Sequence, residues 1–112
     1  MLRQNRNHRI LKEIGYQREA VLEYAKRWAK GRNPRYLDFE HMGGDCTNFA
    51  SQCIYAGSGV MNYTPTMGWY YSSGSNRSPS WTGVVYLYNF LTGNKSAGPY
   101  GVETNEKGVE PG

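Results

Sequence analysis

The amino-acid sequence predicts a small α+β domain, mainly helical and with little sheet. Three observations lead there. Apolar residues recur at three- and four-residue steps in two segments, 17–30 and 46–56, as one face of a helix requires. A third, less regular helical stretch follows Ser80. Between and after them lie long Gly-, Ser- and Pro-containing segments with room for only short strands.

The elements follow in order. Residues 1–15 are polar and basic, with Leu2, Ile10, Leu11 and Ile14 available to dock, and read as a loosely held basic arm or a short helix. From Gln17 to Lys30, Ala20, Val21, Tyr24, Ala25, Trp28 and Ala29 form one face. Gly31 and Asn33-Pro34 end that helix, because glycine suits the C-cap and proline disfavours helix before it. A loop carrying Tyr36, Phe39 and His41 leads to Gly43-Gly44. The second helix is expected from Cys46 to about Ala56, with Phe49, Ala50, Cys53 and Ile54 buried and Gly57 as the stop. Residues 58–80 read as an irregular loop with one short strand around the cluster Met67-Gly68-Trp69-Tyr70-Tyr71. Ser80 is the expected N-cap of a third helix, Trp81 to Leu91, closed by Gly93-Asn94. One strand is expected near Tyr100 to Glu103.

A chain of 112 residues fits one small domain with a modest core. Ten Tyr, three Trp and three Phe stand where Leu, Ile and Val are sparse, so the core must use aromatics whose polar tips need partners. No apolar run of about 18 residues exists, so no membrane-spanning helix is expected. The start has basic character but no apolar segment behind it, which reads as no signal peptide and a cytoplasmic location. Cys46 and Cys53 are seven residues apart on one expected helix, roughly 10 Å, too far for a disulfide. They match no zinc-ligand spacing, so neither a metal nor a cofactor is expected. Residues 1–35 hold ten Lys or Arg against three Glu, and residues 36–112 hold three against six acidic residues. Such asymmetry suits either a solvated face or attraction to an anionic polymer.

The chemistry concentrates in Gly43-Gly44-Asp45-Cys46-Thr47-Asn48-Phe49. Asp45 is a good N-cap, which makes Cys46 the first helical residue. There the positive end of the helix dipole and unpaired N–H groups favour a thiolate. The same N–H groups are placed to receive the oxyanion formed when a thiolate attacks a carbonyl. A small buried cysteine behind an ordinary turn is the alternative reading of the same spacing.

With Gly43-Gly44-Asp45-Cys46-Thr47-Asn48-Phe49-Ala50-Ser51-Gln52-Cys53 in view, the chain resembles the "putative amidase domain" of bacterial proteins, a papain-like cysteine hydrolase family similar in architecture to the NlpC/P60 and CHAP cell-wall hydrolases. The helix Ala20-Val21-Leu22-Glu23-Tyr24-Ala25 with Trp28, the loop Asn33-Pro34-Arg35-Tyr36 and the segment Ser78-Pro79-Ser80-Trp81-Thr82 resemble the family in the same order. Coverage is roughly residues 16–112. The resemblance implies a papain-like fold, of which this chain is mainly the helical amino-terminal half. It also implies that Cys46 is the nucleophile of an amide hydrolase working through a thioester. Asp45 matches the aspartate before the nucleophile, and Cys53 a structural position. Asn48 belongs to the matched string, with packing or capping its expected role. Tyr36 is similar to a cleft tyrosine of NlpC/P60 enzymes. Trp69 and Trp81 are candidates to line a sugar or peptide groove, against burial in the core. The implied substrates are peptide or peptidoglycan amides, and the implied location is secreted or cell-wall.

One departure stands against this pattern. Papain-like enzymes carry a histidine on a strand carboxy-terminal to the nucleophile helix, and no histidine follows Cys46. His8 lies in the basic arm and His41 five residues before the cysteine. The expectation is a chain that stops before the histidine-bearing sheet, inactive by itself and able to self-associate through an incomplete core; substitution by His41 is the alternative. Two other functions compete: a non-catalytic module holding a wall glycan through its aromatics and basic arm, and nucleic-acid binding by residues 1–35. No recognisable nucleic-acid motif supports the second.

Overall fold

A computed structural model describes residues 2–5, 13–14, 16–40 and 43–101. Among them the fold is α+β and predominantly helical. Strands β1 (Leu2–Asn5) and β2 (Glu13–Ile14) precede helices α1 (Arg18–Trp28) and α2 (Asp45–Ser58). The hairpin strands β3 (Tyr71–Ser73) and β4 (Asn76–Arg77), helices α3 (Pro79–Thr82) and α4 (Val84–Gly93), and strand β5 (Gly98–Gly101) follow.

The described part of the amino-terminal segment is strand, where the sequence suggested a loose arm or short helix. β1 lies between β2 and β5, antiparallel to both, with Leu2 opposite Gly101 and Asn5 opposite Gly98. The reason is long-range: β1 gains its ladder from a segment more than ninety residues on, which no local pattern records. The carboxy-terminal strand starts two residues earlier than expected, and Val102 and Glu103 lie outside the described residues, as do His8 and His41.

α1 and α2 form where the periodicity placed them, with one instructive difference. α2 runs through Gly57 and ends at Gly59, whose left-handed backbone (φ 67°) lets its N–H donate to the Tyr55 carbonyl at 2.7 Å. Gly57 is buried inside the helix because α1 crosses there: a Cβ at that point would sit 2.8 Å from Tyr16 Cζ and closer still to Val21 Cγ2. A glycine read as a stop is therefore a packing residue.

The expected third helix is divided at Gly83, whose extended backbone (φ −114°, ψ 119°) separates α3 from α4. Ser80 is not its N-cap; it lies within α3, is buried, and donates its hydroxyl to the Gly68 carbonyl at 2.7 Å. The loop before α3 holds more order than one strand. An antiparallel bridge joins Asn62 to Trp69, and β3 and β4 make a hairpin.

The core is aromatic, as the composition required. Trp69 and Trp81 are both fully buried with ring centroids 4.9 Å apart, and Ile54, Leu87 and Phe90 pack with them. Their indole N–H groups are satisfied inside the protein. Trp69 Nε1 donates to Ser51 Oγ at 3.2 Å and Trp81 Nε1 to Asn48 Oδ1 at 3.0 Å. α2 therefore buries polar residues deliberately: Asn48 and Ser51 are the acceptors that let two tryptophans fill a small core.

Candidate active site

Gly43 and Gly44 both have left-handed backbone (φ 75° and 82°) and bring the chain to α2. At Gly44 a Cβ would also collide with the Thr82 carbonyl oxygen, so α3 presses on the turn that starts α2. The helix begins one residue earlier than expected. Gly44 is the N-cap, and its carbonyl accepts from Asn48 N–H at 2.8 Å. Asp45 is thus the first helical residue rather than the cap, and it makes no side-chain capping bond. The amides of Asp45, Cys46 and Thr47 precede the first intrahelical bond and have no partner within the helix.

The Asp45 carboxylate instead faces backwards. Its Oδ1 accepts from Phe39 N–H at 3.1 Å and lies 3.5 Å from Asn48 Nδ2, while Arg32 reaches both of its oxygens at 3.0–3.1 Å. Burial alone pushes the Asp45 carboxyl up, but these donors, Arg32 foremost, outweigh it and hold the group below the ordinary carboxylate value. Arg32 also meets Asp38 at 3.1 Å and Glu40 at 3.0 Å. One guanidinium thereby gathers three carboxylates and holds residues 32–40 against the entrance of α2. The far side of that segment is fixed to the hairpin: Leu37 N–H donates to Tyr71 Oη at 2.8 Å, and the Arg77 guanidinium lies 4.3 Å above the buried Phe39 ring.

These elements enclose a cleft of about 690 Å³ between the end of α1, the 31–37 loop and the first two turns of α2. Cys46 is exposed and lines it. Trp28, Leu37 and Phe49 supply apolar wall; Lys30, Arg32 and Asp45 supply charge. A polar relay backs one side, where Asn33 Nδ2 donates to Tyr24 Oη at 3.1 Å and Tyr24 Oη donates to Gln52 Oε1. Asn33 and Gln52 line the cleft. Cys53, two turns on, is buried, and burial pushes its thiol up to about 11.

The predicted site residues divide sharply. Cys46, Asp45, Asn48 and Tyr36 border one cleft. Asn48 is 2% exposed with its side-chain amide committed to Trp81, the Leu37 carbonyl and Asp45, so its role there is support. Tyr36 stacks on Trp81 with centroids 5.9 Å apart, and burial drives its hydroxyl up to about 12. Trp69 and Trp81 do not line a groove, since each is fully buried in the core. Sequence reading missed Arg32, hidden in a turn read only as a helix stop, and the Tyr24–Gln52 pair, whose partners are 28 residues apart. Among the described residues no group of three or more His, Cys, Asp or Glu could hold a metal, and no helix is long and apolar enough to cross a membrane.

A family model described as "putative amidase domain" matches residues 15–112. YhbB, an uncharacterized protein of Bacillus subtilis (strain 168), is 35% identical over 83 residues, covering 72% of this chain and 25% of that protein. The chain thus spans about a quarter of the length of the curated relative it matches. No solved structure matches.

Proposed function

We propose, from the premise that this chain belongs to the putative amidase domain family, that it carries the nucleophile of a cysteine-dependent amide hydrolase with a papain-like mechanism. The observation that carries the reading is the contrast between the two thiols: Cys46 is exposed at the first turn of a helix and lines a cleft, whereas Cys53 is buried. In this reading Cys46 Sγ attacks the carbonyl carbon of an amide, and the amides of the first turn of α2 receive the resulting oxyanion. Collapse forms a thioester and expels the amine, which takes a proton from the conjugate acid of the base. Water then cleaves the thioester, giving a carboxylic acid and the free thiol.

The base is assigned to a histidine delivered to the cleft, and no histidine lies among the described residues. Asp45 is a positioning residue: it fixes residues 32–40 at the entrance of α2 through Arg32 and Phe39 N–H. Tyr36 and Gln52 are proposed to contact substrate from the cleft wall. Peptide amides, including those of peptidoglycan, suit an apolar-walled cleft with a few polar groups. The glycan-module alternative loses its two leading aromatics to the core.

The test uses the full-length protein carrying this domain, with amide release from peptidoglycan stem peptides as the readout. Cys46→Ala should abolish release and Cys53→Ala should retain it. Undiminished release by Cys46→Ala would remove the proposal.

A further inference from the structure

A second cleft, of about 660 Å³, lies between the 62–68 loop, α4 and the 94–96 turn, and shares no lining residue with the Cys46 cleft. Its size falls within the roughly 300–1,000 Å³ of small-ligand sites. Much of the backbone around it is spent internally. Asn62 and Trp69 exchange N–H···O bonds at 2.8 and 2.7 Å, Gly68 N–H donates to the Thr64 carbonyl at 2.9 Å, and Thr64 N–H donates to Asn62 Oδ1 at 2.9 Å. Across the cleft, Ser96 N–H donates to Asn94 Oδ1 at 3.0 Å, and Asn62 Nδ2 ties the two walls by donating to Ser96 Oγ at 2.9 Å.

What remains for a ligand is side chain. Thr64, Thr66, Tyr86, Asn89 and Lys95 line the cleft, are exposed, and have no side-chain hydrogen bond or ion pair among the described residues. Phe90 supplies an apolar floor. No Asp or Glu lines it, and Lys95 is its charged member. Thr66 has φ 64°, a left-handed conformation that a β-branched residue adopts only when its surroundings impose it.

We infer that this cleft binds a short saccharide, one or two rings long, either neutral or bearing a carboxylate directed to Lys95. Each feature selects for that chemistry. A peptide strand needs a run of free backbone donors and acceptors, and along the 62–69 wall the amides of Asn62, Thr64, Gly68 and Trp69 are already paired. A sugar ring presents apolar C–H faces to Tyr86 and Phe90, and hydroxyls to the threonines and Asn89. A cationic ligand would meet Lys95 with no carboxylate to offset it. The site stands apart from Cys46, so saccharide binding would hold a substrate-bearing polymer without taking part in the reaction.

The experiment is an amide-resonance titration of the chain with N,N′-diacetylchitobiose, a glucuronate-containing disaccharide and tetra-alanine. The disaccharides should shift resonances of residues 64–68 and 89–96, with the acidic one losing its advantage in Lys95→Gln. Tyr86→Ala and Asn89→Ala, both at exposed positions, should each weaken binding by about tenfold, while Cys46→Ala should leave it unchanged. That last variant separates this inference from the hydrolase reading, because it removes only the latter's activity. Shifts by tetra-alanine alone, shifts confined to other residues, no shift with millimolar disaccharide, or full affinity in Tyr86→Ala would each overturn it.

Discussion

Replacing Asn48 by alanine tests whether the candidate site and the aromatic core are one structure. Asn48 is 2% exposed; its Oδ1 accepts from Trp81 Nε1 at 3.0 Å, and its Nδ2 donates to the Leu37 carbonyl at 3.2 Å. Alanine leaves the indole N–H of a fully buried tryptophan without an acceptor, which costs about 1–3 kcal/mol. The Leu37 carbonyl belongs to an exposed residue that water reaches, so its loss adds only about 0.5–1 kcal/mol. The sum is about 1.5–4 kcal/mol, or roughly a 10 °C fall in melting temperature for a domain of this size. Urea denaturation followed by tryptophan fluorescence reads it directly. Trp81→Phe removes the donor instead, and in that background Asn48→Ala should cost at least about 1 kcal/mol less, the difference being the coupling energy of the pair. A loss below about 0.5 kcal/mol for Asn48→Ala, or no coupling to Trp81, would refute the reasoning.

Three further outcomes follow from the same geometry. At pH 8 the Cys53 thiol, pushed up to about 11 by burial, is ionised in about one molecule per thousand; iodoacetamide should therefore label Cys46 far faster, and equal labelling in the native protein would contradict the burial. Because the Asp45 carboxyl is held below its ordinary value, its contribution to stability is complete above the unfolded value of about 3.9 and is lost as pH falls through the folded value. Asp45→Asn should flatten the acid limb of a stability–pH curve below about pH 4, and an unchanged limb would deny the Arg32 and Phe39 contacts. Gly57→Ala should destabilise by about 1–3 kcal/mol through collision with Tyr16 and Val21, and a neutral or stabilising result would show that α1 does not press on α2 there.

Much of this architecture was legible because it is local. The apolar period of Ala20, Val21, Tyr24 and Trp28 placed α1, and the Gly43-Gly44 turn placed Cys46 in the first turn of α2. Errors arose where a distant partner decides. Gly57 looks like a stop until Val21 and Tyr16 are seen against it, and Gly59 performs the stop two residues later. Asp45 has the chemistry of an N-cap, yet Arg32 and Phe39 N–H take its carboxylate, and Gly44 becomes the cap. Trp69 and Trp81 have the character of groove residues until Ser51 and Asn48 supply buried acceptors for them. β1 was invisible for the same reason, because its partner strand lies at the other end of the chain.

The central claim is that Cys46 becomes acylated during turnover, and the most direct measurement is mass spectrometry of acid-quenched, full-length protein incubated with a peptide-amide substrate. A covalent acyl mass on the peptide containing Cys46, absent from Cys46→Ala and undiminished in Cys53→Ala, is the expected result. Turnover without an adduct that persists in Cys46→Ala would contradict the account.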